Sequence, residues 1–101
     1  MAPTYQRLKE EERLLSLMST YQRYKLSANR HKKHWLDCSM EELGFQLLDE
    51  VLELLRAAKE RDLNVWGEAG DVANMAAMIA DKVWSEVHVQ GAGGDILPSI
   101  N

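Results

Sequence analysis

Two pairs of acidic residues, each spaced three positions apart, are the residues of this chain best suited to chemistry. Glu50 and Glu53 form the first pair, and Glu68 and Asp71 form the second. Residues three positions apart share a face of an α-helix, so two antiparallel helices could bring all of these carboxylates together. Carboxylate oxygen is a hard ligand, which suits Mg²⁺ or Mn²⁺ better than Zn²⁺. The spacing therefore favours a divalent metal site.

These acidic residues also interrupt apolar helix faces. On a helical wheel with about 100° per residue, Glu50 lies within about 40° of Leu43 and Leu54, and Asp71 lies about 20° from Met78. An ionised carboxylate in such a setting is costly unless it is paired or bound to a cation. The faces concerned show no Lys or Arg partner, so a metal ion is the simplest explanation. A solvated acidic helix face is the alternative.

Helices are needed to position these groups, and the sequence predicts an all-α chain of three long helices. The clearest boundary is at Ser39, which forms a capping-box pattern with Glu42. The first predicted helix runs from near Thr4 to Ser27, and its continuation to about His31 is left open. The second runs from the Ser39 cap to about Arg61, and the third from Val65 or Trp66 to about Val87. A connector over 30–38 and a turn over 62–64 join them.

The third helix is unusually apolar. Between Val72 and Ala80 the only polar residue is Asn74. A helix that is apolar all round is normally buried. A short chain with few helices cannot cover it alone, so the pattern predicts a homo-oligomer.

Composition limits the function further. The 101 residues fit one domain over 1–90 and a flexible tail over 91–101. A net charge of −4 and a pI near 5.3 argue against binding a nucleic acid polymer. The longest apolar run, Met75–Ala80, is too short for a membrane helix, and the charged run Lys9–Arg13 argues against a signal peptide. The single cysteine, Cys38, suits a reducing cytoplasm.

The acidic motif resembles the EExxE…ExxD signature of MazG-like all-α nucleoside triphosphate pyrophosphohydrolases, with DEVLE at 49–53 and EAGD at 68–71. The stretch 68–81 is similar to the small, dATP/dGTP diphosphohydrolase-like members. The resemblance covers roughly residues 20–85. It includes an upstream pattern, KLxxNxxK followed by W, formed here by Lys25, Leu26, Asn29, Lys32 and Trp35.

The resemblance implies a helical bundle completed as a homodimer or homotetramer, with Mg²⁺ between two helices and Mn²⁺ as a substitute. It implies hydrolysis of a canonical or damaged (d)NTP to the monophosphate and pyrophosphate. Glu53 or Asp49 would orient or deprotonate the attacking water; Asp49 stands where the family usually has Glu. By position, the implied metal ligands are Glu50, Glu53, Glu68 and Asp71.

Other polar residues are candidates for substrate binding. Asn74 could contact water, sugar or base, or it could bond across a helix interface. Lys25, Asn29 and Lys32 share one face if the first helix extends that far, which suits phosphate binding or simple solvation.

Trp35 and Asp81 are the remaining candidates. Trp35 could stack on a base, although a core anchor is the commoner role for such a residue. Asp81 could reach the substrate or form an ion pair with the neighbouring Lys82.

Two other functions fit the same pattern. Within the same superfamily, phosphoribosyl-ATP pyrophosphohydrolase is an alternative, although the residues from Asp71 to Asp81 argue against it. A non-catalytic helical dimer that binds a protein partner or senses nucleotides is an alternative of a different class. Such a module would have no reason to keep acidic residues within apolar helix faces.

Overall fold

The computed structural model describes residues 4–90, and within that range the chain is helical with no strand. The predicted all-α class is therefore confirmed. The predicted tail over 91–101 lies outside the described residues. The helices are α1 (Thr4–Ala28), α2 (Met40–Glu60) and α3 (Val65–Gln90), and a 3-10 helix (Trp35–Asp37) lies in the connector.

The start of α2 is fixed by the predicted capping box. The Ser39 hydroxyl accepts a hydrogen bond from the backbone N–H of Glu42 at 3.1 Å. The Glu42 carboxylate in turn accepts from the backbone N–H of Ser39 at 3.0 Å. Both bonds satisfy N–H groups that have no partner within the helix. The cap therefore sets where α2 begins and, with it, where the acidic residues of α2 lie.

A tight turn reverses the chain between α2 and α3. Arg61 adopts a left-handed conformation with φ of 56° and ends α2, and its backbone N–H bonds to the carbonyls of Ala57 and Ala58. The Asp62 carboxylate accepts from the backbone N–H of Asn64 at 2.8 Å. The helix α3 begins at the next residue, as predicted. This short connection makes α2 and α3 a helical hairpin.

The helix α3 is central, since it packs against both α1 and α2. Gly70 lies where α1 crosses it: a Cβ atom at this position would lie 3.1 Å from the carbonyl carbon and oxygen of Tyr21. Glycine therefore permits the close approach. The main buried cluster is small and consists of Cys38, Leu43 and Met75, with Trp35, Leu47, Met78 and Ile79 packed around it.

Two apolar stripes have no partner within the described part of the chain. On α2, Phe45, Leu48, Leu52 and Leu55 share one face, and each is more than half exposed. On α3, the exposed residues Ala76, Ala80, Val83 and Val87 follow one another at helical spacing. The predicted all-round burial of α3 is therefore not provided by the described residues 4–90 of one copy. None of the helices described over 4–90 has the length and hydropathy that a bilayer crossing requires.

Candidate metal and nucleotide site

Three of the four predicted metal ligands lie together. One carboxylate oxygen from each of Glu50, Glu53 and Glu68 lies within 4.8 Å of the other two. We call these three residues the carboxylate cluster. Glu50 and Glu53 come from α2 and Glu68 comes from α3, so the helical hairpin assembles the cluster. Glu50 and Glu68 are half-buried, whereas Glu53 is exposed.

The cluster leaves buried oxygens without partners. Oε2 of Glu50 and Oε2 of Glu68 are shielded from solvent and accept no hydrogen bond in the described structure. Burial, followed by repulsion from Asp71 and Glu53, raises the pKa of Glu50 to about 7. Burial, followed by repulsion from Glu53 and Asp71, also raises the pKa of Glu68. Two carboxylate oxygens without hydrogen-bond partners, beside a third carboxylate, provide the hard oxygen ligands that a divalent cation prefers.

The fourth predicted ligand, Asp71, has one partner on α1 and one directly after it. Its Oδ2 lies 3.1 Å from Nζ of Lys25, and its Oδ1 accepts from Nδ2 of Asn29 at 3.4 Å. Burial acts to lower the pKa of Lys25, but the hydrogen bond and attraction to Asp71, with attraction to Glu68 and Glu50, raise it above its usual value. The expectation of no basic partner was therefore wrong, because the partner comes from a different helix.

A cavity of about 180 Å³ opens beside these groups. Glu50 and Asp71 form its acidic wall. Its basic wall consists of Lys25, Arg30, Lys32 and Lys33. Its apolar wall includes Leu26, Trp35, Cys38, Leu43, Met75 and Met78. The cavity thus places acidic, basic and apolar surfaces within reach of one ligand.

The predicted substrate residues divide between cavity and periphery. Lys25, Asn29, Lys32, Trp35 and Asn74 all line the cavity. Although α1 ends at Ala28, the backbone N–H of Asn29 still bonds to the carbonyl of Lys25 at 3.0 Å, which keeps these two side chains on one face. The sixth predicted substrate residue, Asp81, is exposed and does not line this cavity, and the same is true of Asp49, which was predicted as a catalytic residue.

Asn74 is bonded across the interface between α1 and α3. It is 6% exposed. Its Oδ1 accepts from Nε2 of Gln22 at 3.3 Å, and its Nδ2 donates to the Gln22 carbonyl at 3.0 Å. This is the interhelical alternative, although the side chain also borders the cavity. Gln22 was not predicted, and its only signal was its position one helical turn before Lys25.

Trp35 anchors the connector to α3. Its Nε1 donates to Oδ2 of Asp81 at 2.8 Å, and its ring packs against the buried core. Lys82 reinforces the attachment by donating to the Leu36 carbonyl at 3.2 Å. The partner of Asp81 is thus an indole, whereas Lys82 pairs with Glu86 at 3.3 Å. Trp35 therefore has the predicted anchor role while one side of it faces the cavity.

Comparisons with protein-family models, with curated proteins and with solved structures found no match for this chain. The MazG-like interpretation therefore stays a prediction from the acidic motif.

Proposed function

We propose that this chain is a Mg²⁺-dependent nucleoside triphosphate pyrophosphohydrolase of the MazG-like type. The observation that carries the proposal is the pair of buried, unpartnered carboxylate oxygens on Glu50 and Glu68. They lie in a cluster assembled from two helices, beside a cavity with a basic wall. A fold without a ligand gains nothing from such an arrangement, since each buried and unpaired acidic oxygen costs free energy.

The residues present would hold the cation through the carboxylate cluster and Asp71. When bound, Mg²⁺ supplies Lewis-acid chemistry, which neutralises negative charge on a triphosphate and acidifies water. Mn²⁺ offers the same hard-ion chemistry. The four cations of the cavity wall would contact the phosphates as point charges or bidentate donors. The apolar wall beside Trp35 would take the base or the sugar.

Hydrolysis needs a water that attacks a phosphorus of the α–β linkage. The new P–O bond forms to the water oxygen, and the bridging P–O bond breaks to release pyrophosphate and the monophosphate. Glu53 is the exposed member of the cluster, so it is our first candidate to hold this water and to accept its proton. Asp49 is an exposed residue of the same helix and is the second candidate for this role.

A second copy of the chain is part of the proposal. The apolar stripes of α2 and α3 would be covered in a homodimer or homotetramer. Light scattering at micromolar concentration should show a dimer or tetramer, and a stable, folded monomer would contradict this part of the proposal.

Cys38 is buried and free, which suits a reducing cytoplasm.

The decisive experiment is a pyrophosphate-release assay over a panel of canonical and damaged (d)NTPs, with phosphoribosyl-ATP included. We expect Mg²⁺-dependent release from at least one nucleoside triphosphate. Glu41→Gln is the matched control for variants of the cluster, because Glu41 is an exposed glutamate of α2 outside the site. Nucleotide binding without hydrolysis would instead favour a nucleotide-sensing module, and release from phosphoribosyl-ATP alone would identify the second enzyme.

A further inference from the structure

The ion pair between Lys25 and Asp71 differs from the other ion pairs of the described residues. The Lys25 side chain is 21% exposed and that of Asp71 is 12% exposed. In every other ion pair within residues 4–90, at least one side chain is about half exposed. Exposed pairs of that kind contribute little to stability, whereas a shielded pair holds its partners more firmly.

The ion pair between Lys25 and Asp71 lies next to the carboxylate cluster. Asp71 lies close enough to Glu50 and Glu68 to repel both carboxylates. The ammonium of Lys25 is attracted by Asp71, Glu68 and Glu50 together. It is therefore a positive charge that interacts with three of the four acidic groups of the site. One monovalent cation cannot balance that charge.

We propose that Lys25 is the built-in counter-cation of the metal-free site, and that a divalent cation displaces its ammonium from Asp71 on binding. The inference rests on the proposed function, because it takes Asp71 as a metal ligand. Oδ2 of Asp71 faces Nζ of Lys25 and Oδ1 faces Nδ2 of Asn29, so a divalent cation that binds Asp71 competes with the Lys25 ammonium for its negative charge. Metal affinity is then the outcome of a competition between two cations.

The displaced ammonium of Lys25 can move into the cavity. Lys25 lines the cavity together with Lys32, and its stem of four carbons allows the ammonium to move without the helix. The backbone of α1 is held at Gln22, which bonds to Asn74 through both its side chain and its carbonyl. The exchange therefore moves one side chain: the Lys25 ammonium departs from Asp71 and becomes available to the phosphates of the nucleotide.

The test compares Lys25→Met with Lys32→Met. Both variants remove one positive charge from the cavity wall. Lys32 attracts Glu50 but forms no ion pair within residues 4–90, whereas Lys25 pairs with Asp71. Mn²⁺ binding is followed by electron paramagnetic resonance, and thermal melts are recorded without metal and in saturating Mg²⁺. We expect Lys25→Met to bind Mn²⁺ at least about threefold more tightly than wild type. We expect Lys32→Met to show a smaller gain.

The melts give an independent result. Lys25→Met should melt below wild type without metal, and the difference should shrink in saturating Mg²⁺, because the loaded wild type no longer uses the ion pair. An equal difference in both conditions, or unchanged Mn²⁺ affinity, would mean that Lys25 is only structural. That result would overturn the inference and leave the proposed function standing. A wild-type protein that binds no Mn²⁺ would overturn both.

A measurement on the wild type covers the case in which Lys25→Met does not fold. The side-chain ¹⁵Nζ resonance of Lys25 should shift during a Mg²⁺ titration, with the same midpoint as Mg²⁺ binding measured by isothermal titration calorimetry. A Lys25 resonance unmoved at saturation would show that the ammonium stays on Asp71, against the inference.

Discussion

Two acidic regions of the same helix behave in opposite ways. At the start of α2, the Ser39 backbone N–H and the nearby Lys33 lower the pKa of Glu42. Two turns further along α2, burial and like charges raise the pKa of Glu50 to about 7. The cap therefore favours a charged carboxylate, and the carboxylate cluster disfavours one. The direction of the pKa shift therefore distinguishes an acidic residue that stabilises the fold from one that needs a ligand.

The largest effect that separates the two regions concerns catalysis. Glu50→Gln should lower nucleotide hydrolysis by about a hundredfold or more, as expected for loss of one group that stabilises transition-state charge. The metal-free protein should be as stable as wild type or more so, because the change removes a disfavoured charge at nearly constant shape. Pyrophosphate release and a thermal melt measure the two properties, with Glu41→Gln as the control. A destabilised variant with wild-type activity would refute the metal-site interpretation.

Metal binding should stabilise the cluster and leave the cap unaffected. Mg²⁺ or Mn²⁺ at a hundred times its Kd should add about 2.7 kcal/mol to the free energy of unfolding, because the cation binds only the folded state. The same addition should have a much smaller effect on the double variant Glu50→Gln, Glu68→Gln. Differential scanning calorimetry gives the comparison. A melt unmoved by millimolar Mg²⁺ but shifted by Zn²⁺ would indicate a different class of metal.

Asp71 should respond differently from Glu50. Asp71→Asn should also impair hydrolysis, but it removes the anion that pairs with Lys25. Leaving that shielded ammonium without its partner should lower the free energy of unfolding of the metal-free protein by about 1–3 kcal/mol. Urea denaturation of the two single variants tests this. Equal stabilities for Glu50→Gln and Asp71→Asn would mean that the ion pair contributes nothing.

The two regions should also respond to pH with opposite signs. The folded-state pKa of Glu50 is raised, so its contribution to metal-free stability is present below its usual pKa of 4.5 and is lost as pH rises through about 7. The folded-state pKa of Glu42 is lowered, so its contribution is present above its usual value and is lost on acidification. Solvent screening keeps both effects modest. Between pH 4.5 and 7.5, the melting temperature of the metal-free wild type should fall as pH rises, and that of Glu50→Gln should fall less.

The smallest of these effects belongs to the cap. Ser39→Ala removes the hydroxyl that accepts from Glu42 and should cost about 1 kcal/mol of stability. Hydrolysis under conditions where the protein stays folded should be unchanged, because Ser39 lies outside the cavity and the cluster. Chemical denaturation and the pyrophosphate assay provide the two measurements. A large loss of activity in the folded variant would mean that the register of α2 depends on this one bond.

Local signals in the sequence were sufficient for the helices and for part of the site. The capping box located the start of α2, and helical periodicity placed Glu50 and Glu68 on facing sides of one hairpin. The partners of Asp71, Asn74 and Asp81 were not predicted. Each partner lies on α1 or in the connector, and its reach depends on how those segments pack against α3. Spacing within one helix carries no information about that packing.

Gly70 lies directly before Asp71 on α3, and Tyr21, whose carbonyl it approaches, lies one turn before Lys25 on α1. A Cβ atom at position 70 would require the Tyr21 backbone to give by a few tenths of an ångström, which alters the packing of the helix that carries Lys25. The electrostatics of the site thus depend on a residue that has neither charge nor side chain. A neutral replacement there would therefore act on the ion pair between Lys25 and Asp71 through helix packing, without altering an ionisable group.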